Sequence, residues 1–132
     1  MVRIEATYDG NLRCTATHGP SGNQLITDAP VDNKGKGESF SPTDLLATSM
    51  LTCIMTIVAI RADSRGLDVL GMSGSVEKTM AANPRRISKL EVIVNLPQNL
   101  DMEDRAWLIT EGCNCPVCVS VSESMEVDVT FQ

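Results

Sequence analysis

The stretch that decides the fold is residues 41–66, SPTDLLATSMLTCIMTIVAIRADSRG. Ser41 stands where a helix N-cap is expected, Pro42 follows at the first helical position, and Asp44 lies three residues after the cap. This order is a carboxylate variant of the capping box. Gly66 is a natural C-cap, because glycine adopts the left-handed conformation that ends many helices. The stretch therefore predicts one long helix with defined ends.

The body of this helix carries no charge at all from residue 45 to residue 60 and is apolar on nearly every face. A helix of this kind must be buried on all sides. It is too short and too rich in Thr and Ser for a membrane span, which needs about 20 apolar residues. We therefore interpret it as a central core helix, with no membrane partner. A chain this small cannot cover it alone, so we expect an intimate homodimer in which the two long helices pack together.

Length and composition fit one domain over residues 1–132. Aromatic residues make up only 3%, so the core must be built from Leu, Ile, Val, Ala and the seven methionines, which fill irregular gaps. The net charge of −6 disfavours nucleic acid as a partner, because phosphate binding needs clustered Lys and Arg. The doublet Arg85-Arg86, beside Pro84, is interpreted as an exposed turn.

The N-terminal residues MVRIEATYDG do not resemble a secretory signal, so we expect a cytoplasmic protein. Thiols stay reduced in that compartment. Five cysteines in such a chain indicate catalysis, metal binding or incidental use more readily than a disulfide framework.

Strand and helix patterns alternate on both sides of the long helix. The turn signal Asp9-Gly10-Asn11 separates two short β-branched runs, and Asn83-Pro84 separates two longer ones. In the second of these longer runs, apolar residues alternate with others at Ile87, Leu90, Val92, Val94 and Leu96, apart from one slip in the alternation between Ile87 and Leu90. In chain order the pattern predicts three strands, the long helix, two strands, one or two short helices and a last strand, with a loop at 31–40. Outside the long helix these elements span 1–8, 11–17, 23–30, 67–81, 85–97, 101–112, 115–124 and 125–131, where 115–124 is the optional second short helix.

A cysteine cluster lies in TEGCNCPVCVSV, residues 110–121. Cys115 would cap a short helix that opens with Pro116, where unsatisfied N–H groups stabilise a thiolate. Cys113 precedes the cap, and Cys118 is expected along the side of the first turn. Cys53, in the middle of the long helix, is by itself typical of an inert core thiol.

Two other uses of these cysteines stay open but are less favoured. A structural zinc site needs four ligands, and only Cys53, Cys14 or His18 could complete the set, so we expect no metal. A thioredoxin-like Cys115-Pro-Val-Cys118 pair would need a preceding strand, whereas a helix precedes it here.

Spacing alone does not identify a charged residue that would assist the Cys53 thiol. Asp44 lies nine residues earlier, which is about half a turn away on an ideal helix, so the two residues do not share a face. Any help from Asp44 must pass through another residue. Arg13, in NLRCT, is the candidate counter-charge in the N-terminal half.

Two stretches together resemble the OsmC/Ohr family of osmotically inducible and organic hydroperoxide resistance proteins. FSPTDLLATSMLTC, residues 40–53, is similar to the first family motif, and NCPVCVSV, residues 114–121, is similar to the second. The hydroperoxide resistance branch has Glu directly after the Pro, whereas this chain has Thr43 there and Asp44 one position later.

The resemblance implies an α+β fold of the OsmC type, with antiparallel sheets packed on the long buried helix in an intertwined homodimer. It also implies an organic hydroperoxide reductase with Cys53 as the peroxidatic thiol and Cys115 as the resolving thiol, assisted by Asp44 and Arg13. Family members commonly have Ser at the position of Cys118, so three interpretations of Cys118 stay open: a conservative replacement, an alternative resolving thiol, or neither. No cofactor is expected. The reductant is expected to be an external dithiol, which in the family can be a lipoylated protein.

The implied chemistry is consistent with the residues. A thiolate attacks the O–O bond to give an alcohol and a sulfenic acid, which a second thiol converts to a disulfide. A Leu- and Met-rich lining favours alkyl or lipid hydroperoxides, because it can bury the organic tail. Two alternatives without turnover remain: a binding protein for a small apolar ligand, and a redox sensor that uses Cys113, Cys115 and Cys118.

Overall fold

A computed structural model describes all of residues 1–132. The chain divides into two compact units, Met1–Leu46 and Ala47–Gln132, and the boundary falls within the first turns of the long helix. The folding pattern is α+β, as predicted, with one three-stranded sheet in each unit.

The first unit is an antiparallel meander of β1 (Ile4–Gly10), β2 (Arg13–His18) and β3 (Gln24–Asp28). The β1–β2 turn places Asn11 and Leu12 at φ values of 53° and 60°, the left-handed pair that a tight hairpin turn requires. A short 3-10 turn, Val31–Asn33, lies in the predicted loop.

The meander buries no large apolar side chain within the first unit, where the buried residues are the polar Asp28 and Ser41. Many apolar side chains of the first unit are exposed instead: Val2, Ile4, Tyr8, Leu12, Leu25, Ile26, Val31 and Phe40. Three strands need an apolar face packed on something else for independent stability. In a single copy this sheet therefore has unburied apolar surface.

The long helix is α1 (Pro42–Ser64), and both predicted caps are present. The Ser41 hydroxyl accepts a hydrogen bond from the Asp44 N–H at 3.1 Å, and the Asp44 carboxylate accepts one from the Ser41 N–H at 2.8 Å. This is the reciprocal bonding of a capping box. At the other end, Gly66 has φ of 67° and the Leu67 N–H bonds the Ala62 carbonyl, which is a Schellman ending.

Within one chain α1 buries a single stripe rather than its whole circumference, as expected for a chain too small to cover the helix alone, and its burial on all sides stays a prediction. The stripe has helical spacing and consists of Ala47, Met50, Ile54, Val58 and Ala62. Ile60, on another face, is exposed. By length and composition alone α1 could cross a membrane, a test that the core helix of a soluble protein also passes.

The second sheet contains β4 (Ser73–Ala81), β5 (Arg86–Asn95) and β6 (Glu126–Phe131). β4 and β5 pair antiparallel, and the pairing skips Ser88 between Ile87 and Lys89. The slip in the sequence alternation is thus a β-bulge, which adds one residue on one strand. Arg85 ends the turn before β5 and Arg86 is the first residue of the strand, and both side chains are exposed, as predicted.

The sheets are not wholly antiparallel, because β5 and β6 pair in parallel. Two helices connect these strands, α2 (Met102–Cys113) and α3 (Pro116–Val121). This two-helix crossover carries the chain back to the end of the sheet at which β5 begins, which allows β6 to pair with β5 in parallel.

The core of the second unit lies between α1, the sheet and α2. Gly112 of α2 sits where a Cβ atom would be 2.9 Å from both Val58 of α1 and Phe131 of β6. Leu108 of α2 and Leu90 of β5 are fully buried. At the surface, Arg61 pairs with Glu111 at 2.7 Å, which links the ends of α1 and α2.

Candidate active site

Cys53 lies on α1 at the wall of an open groove in the second unit. The groove has a volume of about 240 Å³ and is lined by Ser49, Thr52, Cys53, Thr56, Ile57 and Pro116. The Cys53 thiol is half-buried. It can therefore be reached by a small molecule in the groove, which does not fit the alternative of an inert core thiol.

Cys115 is the N-cap of α3, as predicted. Its backbone is extended, Pro116 follows at the first helical position, and its sulfur accepts a hydrogen bond from the Cys118 N–H at 3.3 Å. The side chain has no solvent exposure. The cap fixes the position of this sulfur next to Pro116, which lines the groove.

The structure brings Cys53 and Cys115 together. Burial raises the pKa of the Cys53 thiol, and the neighbouring Cys115 raises it further as a hydrogen-bond partner and as a like charge. The backbone N–H of Val117 hydrogen-bonds Cys53 and lowers that pKa. The first turn of α3 therefore supplies Cys53 with both a donor for its thiolate and a neighbouring thiol.

Cys118 belongs to the same cluster and does not lie along an exposed helix side. Its Sγ atom is 3.0 Å from Cys115 Sγ and 3.1 Å from Met50 Sδ. Burial, followed by the Cys115 thiol, raises the pKa of Cys118 to about 12, so Cys118 is a neutral thiol at pH 7. We use "thiol cluster" below for Cys53, Cys115 and Cys118.

The other two cysteines are more exposed than Cys115 and Cys118, although burial, followed by the nearby Cys115 thiol, raises the pKa of Cys113. Cys113 is exposed at the end of α2, and Cys14 is half-buried on β2 in the first unit. No group of three or more His, Cys, Asp or Glu side chains is arranged to hold a metal ion.

Arg13 lies in the first unit and pairs with two carboxylates that the sequence did not single out. It contacts Glu38, and its Nη2 atom is 3.4 Å from Asp28 Oδ2. Asp28 is fully buried, and its Oδ2 also accepts the Glu38 N–H at 2.9 Å. This N–H and the Arg13 charge hold the pKa of Asp28 below its usual value. A role of Arg13 toward Cys53 stays a prediction.

Asp44 forms the capping box of α1 with Ser41, which is the structural role that its spacing indicated. Its predicted catalytic role likewise stays a prediction. Among the residues that sequence reasoning underrated, Cys118 had a usable signal, because residues three apart share a helix face. Asp28 and Met50 had none, since each meets its partner across a long sequence separation.

Sequence and structure comparisons place this geometry in a family. The family model described as OsmC-like protein matches residues 35–130. The chain belongs to the OsmC-like family. Among curated proteins, none matches the sequence significantly.

Solved structures of this family share the fold. A protein from Psychrobacter arcticus 273-4, provisionally named as an osmotic stress induced and detoxification response protein, is 42% identical with a TM-score of 0.94, over 100% of this chain and 96% of that one. The organic hydroperoxide resistance protein OsmC of Legionella pneumophila is 15% identical with a TM-score of 0.80, again over 100% and 96%. The organic hydroperoxide resistance protein OhrB of Bacillus subtilis is 15% identical with a TM-score of 0.70, over 100% and 98%.

Proposed function

We propose that this OsmC-like protein reduces organic hydroperoxides, with Cys53 as the peroxidatic thiol and Cys115 as the resolving thiol. The observation that carries the proposal is the placement of an accessible Cys53 at an apolar groove, directly beside a buried Cys115. Some structural relatives are named organic hydroperoxide resistance proteins, which supports the same chemistry.

The groove favours an organic substrate. Ile57 and Pro116 contribute apolar surface, and the Thr52 and Thr56 side chains add hydroxyl groups near Cys53. A thiolate at Cys53 attacks the distal oxygen of the hydroperoxide, and the alkoxide leaves as an alcohol. Apolar groove walls can bury the alkyl group, which hydrogen peroxide lacks.

Resolution follows from the position of Cys115. Its thiolate attacks the sulfur of the Cys53 sulfenic acid, a Cys53–Cys115 disulfide forms, and water leaves. An external dithiol then attacks the disulfide and restores both thiols through a mixed disulfide. Cys53 is the accessible sulfur of this bond, so the groove is where we expect the reductant to act.

The test is steady-state consumption of cumene hydroperoxide with dihydrolipoamide as reductant, with hydrogen peroxide as the comparison substrate. We expect turnover with a preference for cumene hydroperoxide, and loss of turnover in Cys53→Ser. Cys113→Ser, at an exposed cysteine outside the cluster, is the matched control. One stoichiometric oxidation without turnover would instead favour a redox sensor, and no thiol loss would favour an apolar-ligand-binding protein.

A further inference from the structure

Three thiols meet where the proposed reaction needs only two. Cys115 is beside Cys53 on one side, and its Sγ is 3.0 Å from Cys118 Sγ on the other. A disulfide bond is about 2.05 Å long, so Cys115 and Cys118 need a movement of about 1 Å to bond. The backbone places both cysteines at the start of one helix, α3.

We propose that Cys118 is a third redox-active thiol, which converts the Cys53–Cys115 disulfide into a Cys115–Cys118 disulfide and so releases Cys53. This inference rests on the proposed function, because Cys53 must first be oxidised by a hydroperoxide. It assigns a chemical role to a cysteine that the two-thiol cycle does not use.

The exchange step is balanced without a further reagent. Cys118 loses its proton, and its sulfur attacks Cys115 Sγ; the Cys115–Cys118 bond forms as the Cys53–Cys115 bond breaks. Cys53 leaves as a thiolate and takes up a proton. No net oxidation occurs in this step, since the two electrons were already lost to the hydroperoxide.

The surroundings of Cys118 favour a slow forward step and a long-lived product. A thiol that is neutral at pH 7 attacks slowly, but a thiol with so high a pKa is also a poor leaving group once bonded. Cys115 is fully buried and Cys118 is 9% exposed, so their disulfide is sheltered from an external dithiol. Reduction is then expected to pass back through Cys53 at the groove.

The consequence is that one chain consumes more hydroperoxide in the absence of reductant. A two-thiol chain without reductant consumes one hydroperoxide and stops at the Cys53–Cys115 disulfide. A chain that transfers the disulfide to Cys118 has a free Cys53 again and consumes a second hydroperoxide, which leaves a sulfenic acid on Cys53.

Digestion with trypsin distinguishes the two disulfides by the peptides that contain the cysteines. Cys53 lies on the peptide 37–61, whereas Cys115 and Cys118 both lie on 106–132. The first disulfide links the two peptides, and the second lies within 106–132 and lowers its mass by two hydrogens. Cys113→Ser protein is used for mapping, because Cys113 lies on the same peptide.

The experiment treats this protein with one equivalent of cumene hydroperoxide, quenches it with acid over time, alkylates free thiols and maps the peptides. We expect the linked peptides to appear first and then to convert to the internal disulfide, which ends about tenfold more abundant. In a parallel titration, the protein consumes about two equivalents of hydroperoxide, and Cys118→Ser consumes about one.

A link between 37–61 and 106–132 that persists unchanged, with one equivalent consumed, overturns the role of Cys118 and leaves the proposed function intact. Failure of Cys53 to oxidise at all overturns the proposed function itself. The peptide-mapping time course uses protein that contains Cys118, so its result does not depend on whether the Cys118→Ser variant folds.

Discussion

Arg13 and Asp28 face each other across β2 and β3 as register partners, and their side chains form an ion pair whose carboxylate is completely buried. A buried charge is costly unless it is paired and hydrogen-bonded. Here Asp28 Oδ2 has both Arg13 and the Glu38 N–H, whereas Oδ1 has no hydrogen-bond partner. The pair therefore joins β2 to β3 and to the segment that precedes α1.

The replacement Asp28→Asn is expected to lower stability in a pH-dependent way. The pKa of Asp28 is held below 3.8 in the folded protein, so its contribution is present above the unfolded pKa and is lost as pH falls through the folded pKa. Thermal unfolding at pH 7 and at about pH 3 checks this. The difference from the unmodified protein should be largest at pH 7 and shrink in acid; a difference that stays constant with pH would assign it to packing.

Sequence alone determines those parts of this structure that depend on neighbouring residues. Ser41 and Asp44 form the predicted capping box, Gly66 ends the helix, and the alternation slip becomes the bulge at Ser88. These features are readable because each involves residues only a few positions apart.

The features that sequence did not reveal depend on distant partners. Cys118 turns into the core because Met50, 68 positions earlier, lies on the buried stripe of α1. The parallel pairing of β6 depends on how α2 and α3 cross the sheet, for which the alternation in β6 carries no signal. The candidate site was accordingly predicted as Cys53 and Cys115, with Cys118 about one helical turn from Cys115, and the contact of Cys118 with Met50 is visible only in three dimensions.

Gly112→Ala tests the close approach of α2 to α1 and β6. Alanine is normally about 1 kcal/mol better than glycine within a helix. Here its Cβ would be 2.9 Å from Val58 and Phe131 atoms, so we expect a net loss of about 1–3 kcal/mol through overpacking. Chemical denaturation measures it. Ala106→Gly, at an exposed position of α2, is the control and should cost about 1 kcal/mol; a stabilised Gly112→Ala protein would contradict the tight packing.

Dimerisation is proposed on the apolar surface that one chain leaves exposed. Tyr8 and Ile26 of the first unit are 66% and 53% exposed, and Ile60 of α1 is 57% exposed. A second copy that covers such surfaces gains the corresponding hydrophobic free energy. We expect sedimentation equilibrium to give a dimer at micromolar concentration. A monomer with full helical circular dichroism under the same conditions would show that one chain is stable without this cover.

The replacement Cys115→Ser separates resolution from peroxide attack. Cys53 keeps its groove and the Val117 N–H, so its first oxidation to a sulfenic acid should continue. Without a resolving thiol beside it, the sulfenic acid should be oxidised again to the sulfinic acid, which gains a second oxygen and ends turnover. Mass spectrometry of peptide 37–61 after excess cumene hydroperoxide detects the two added oxygens.

The matched variant Cys113→Ser should show no such over-oxidation while reductant is present, because Cys113 is exposed and lies outside the thiol cluster. Cys118 is close enough for the charge of Cys53 to raise its pKa, so it is the one residue that could replace Cys115 directly. Its contacts with Cys115 and Met50 aim its sulfur at these two atoms, and we therefore expect it to reach Cys53 slowly. A Cys115→Ser protein that forms a Cys53–Cys118 disulfide at the native rate would show that Cys118 is itself the resolving thiol.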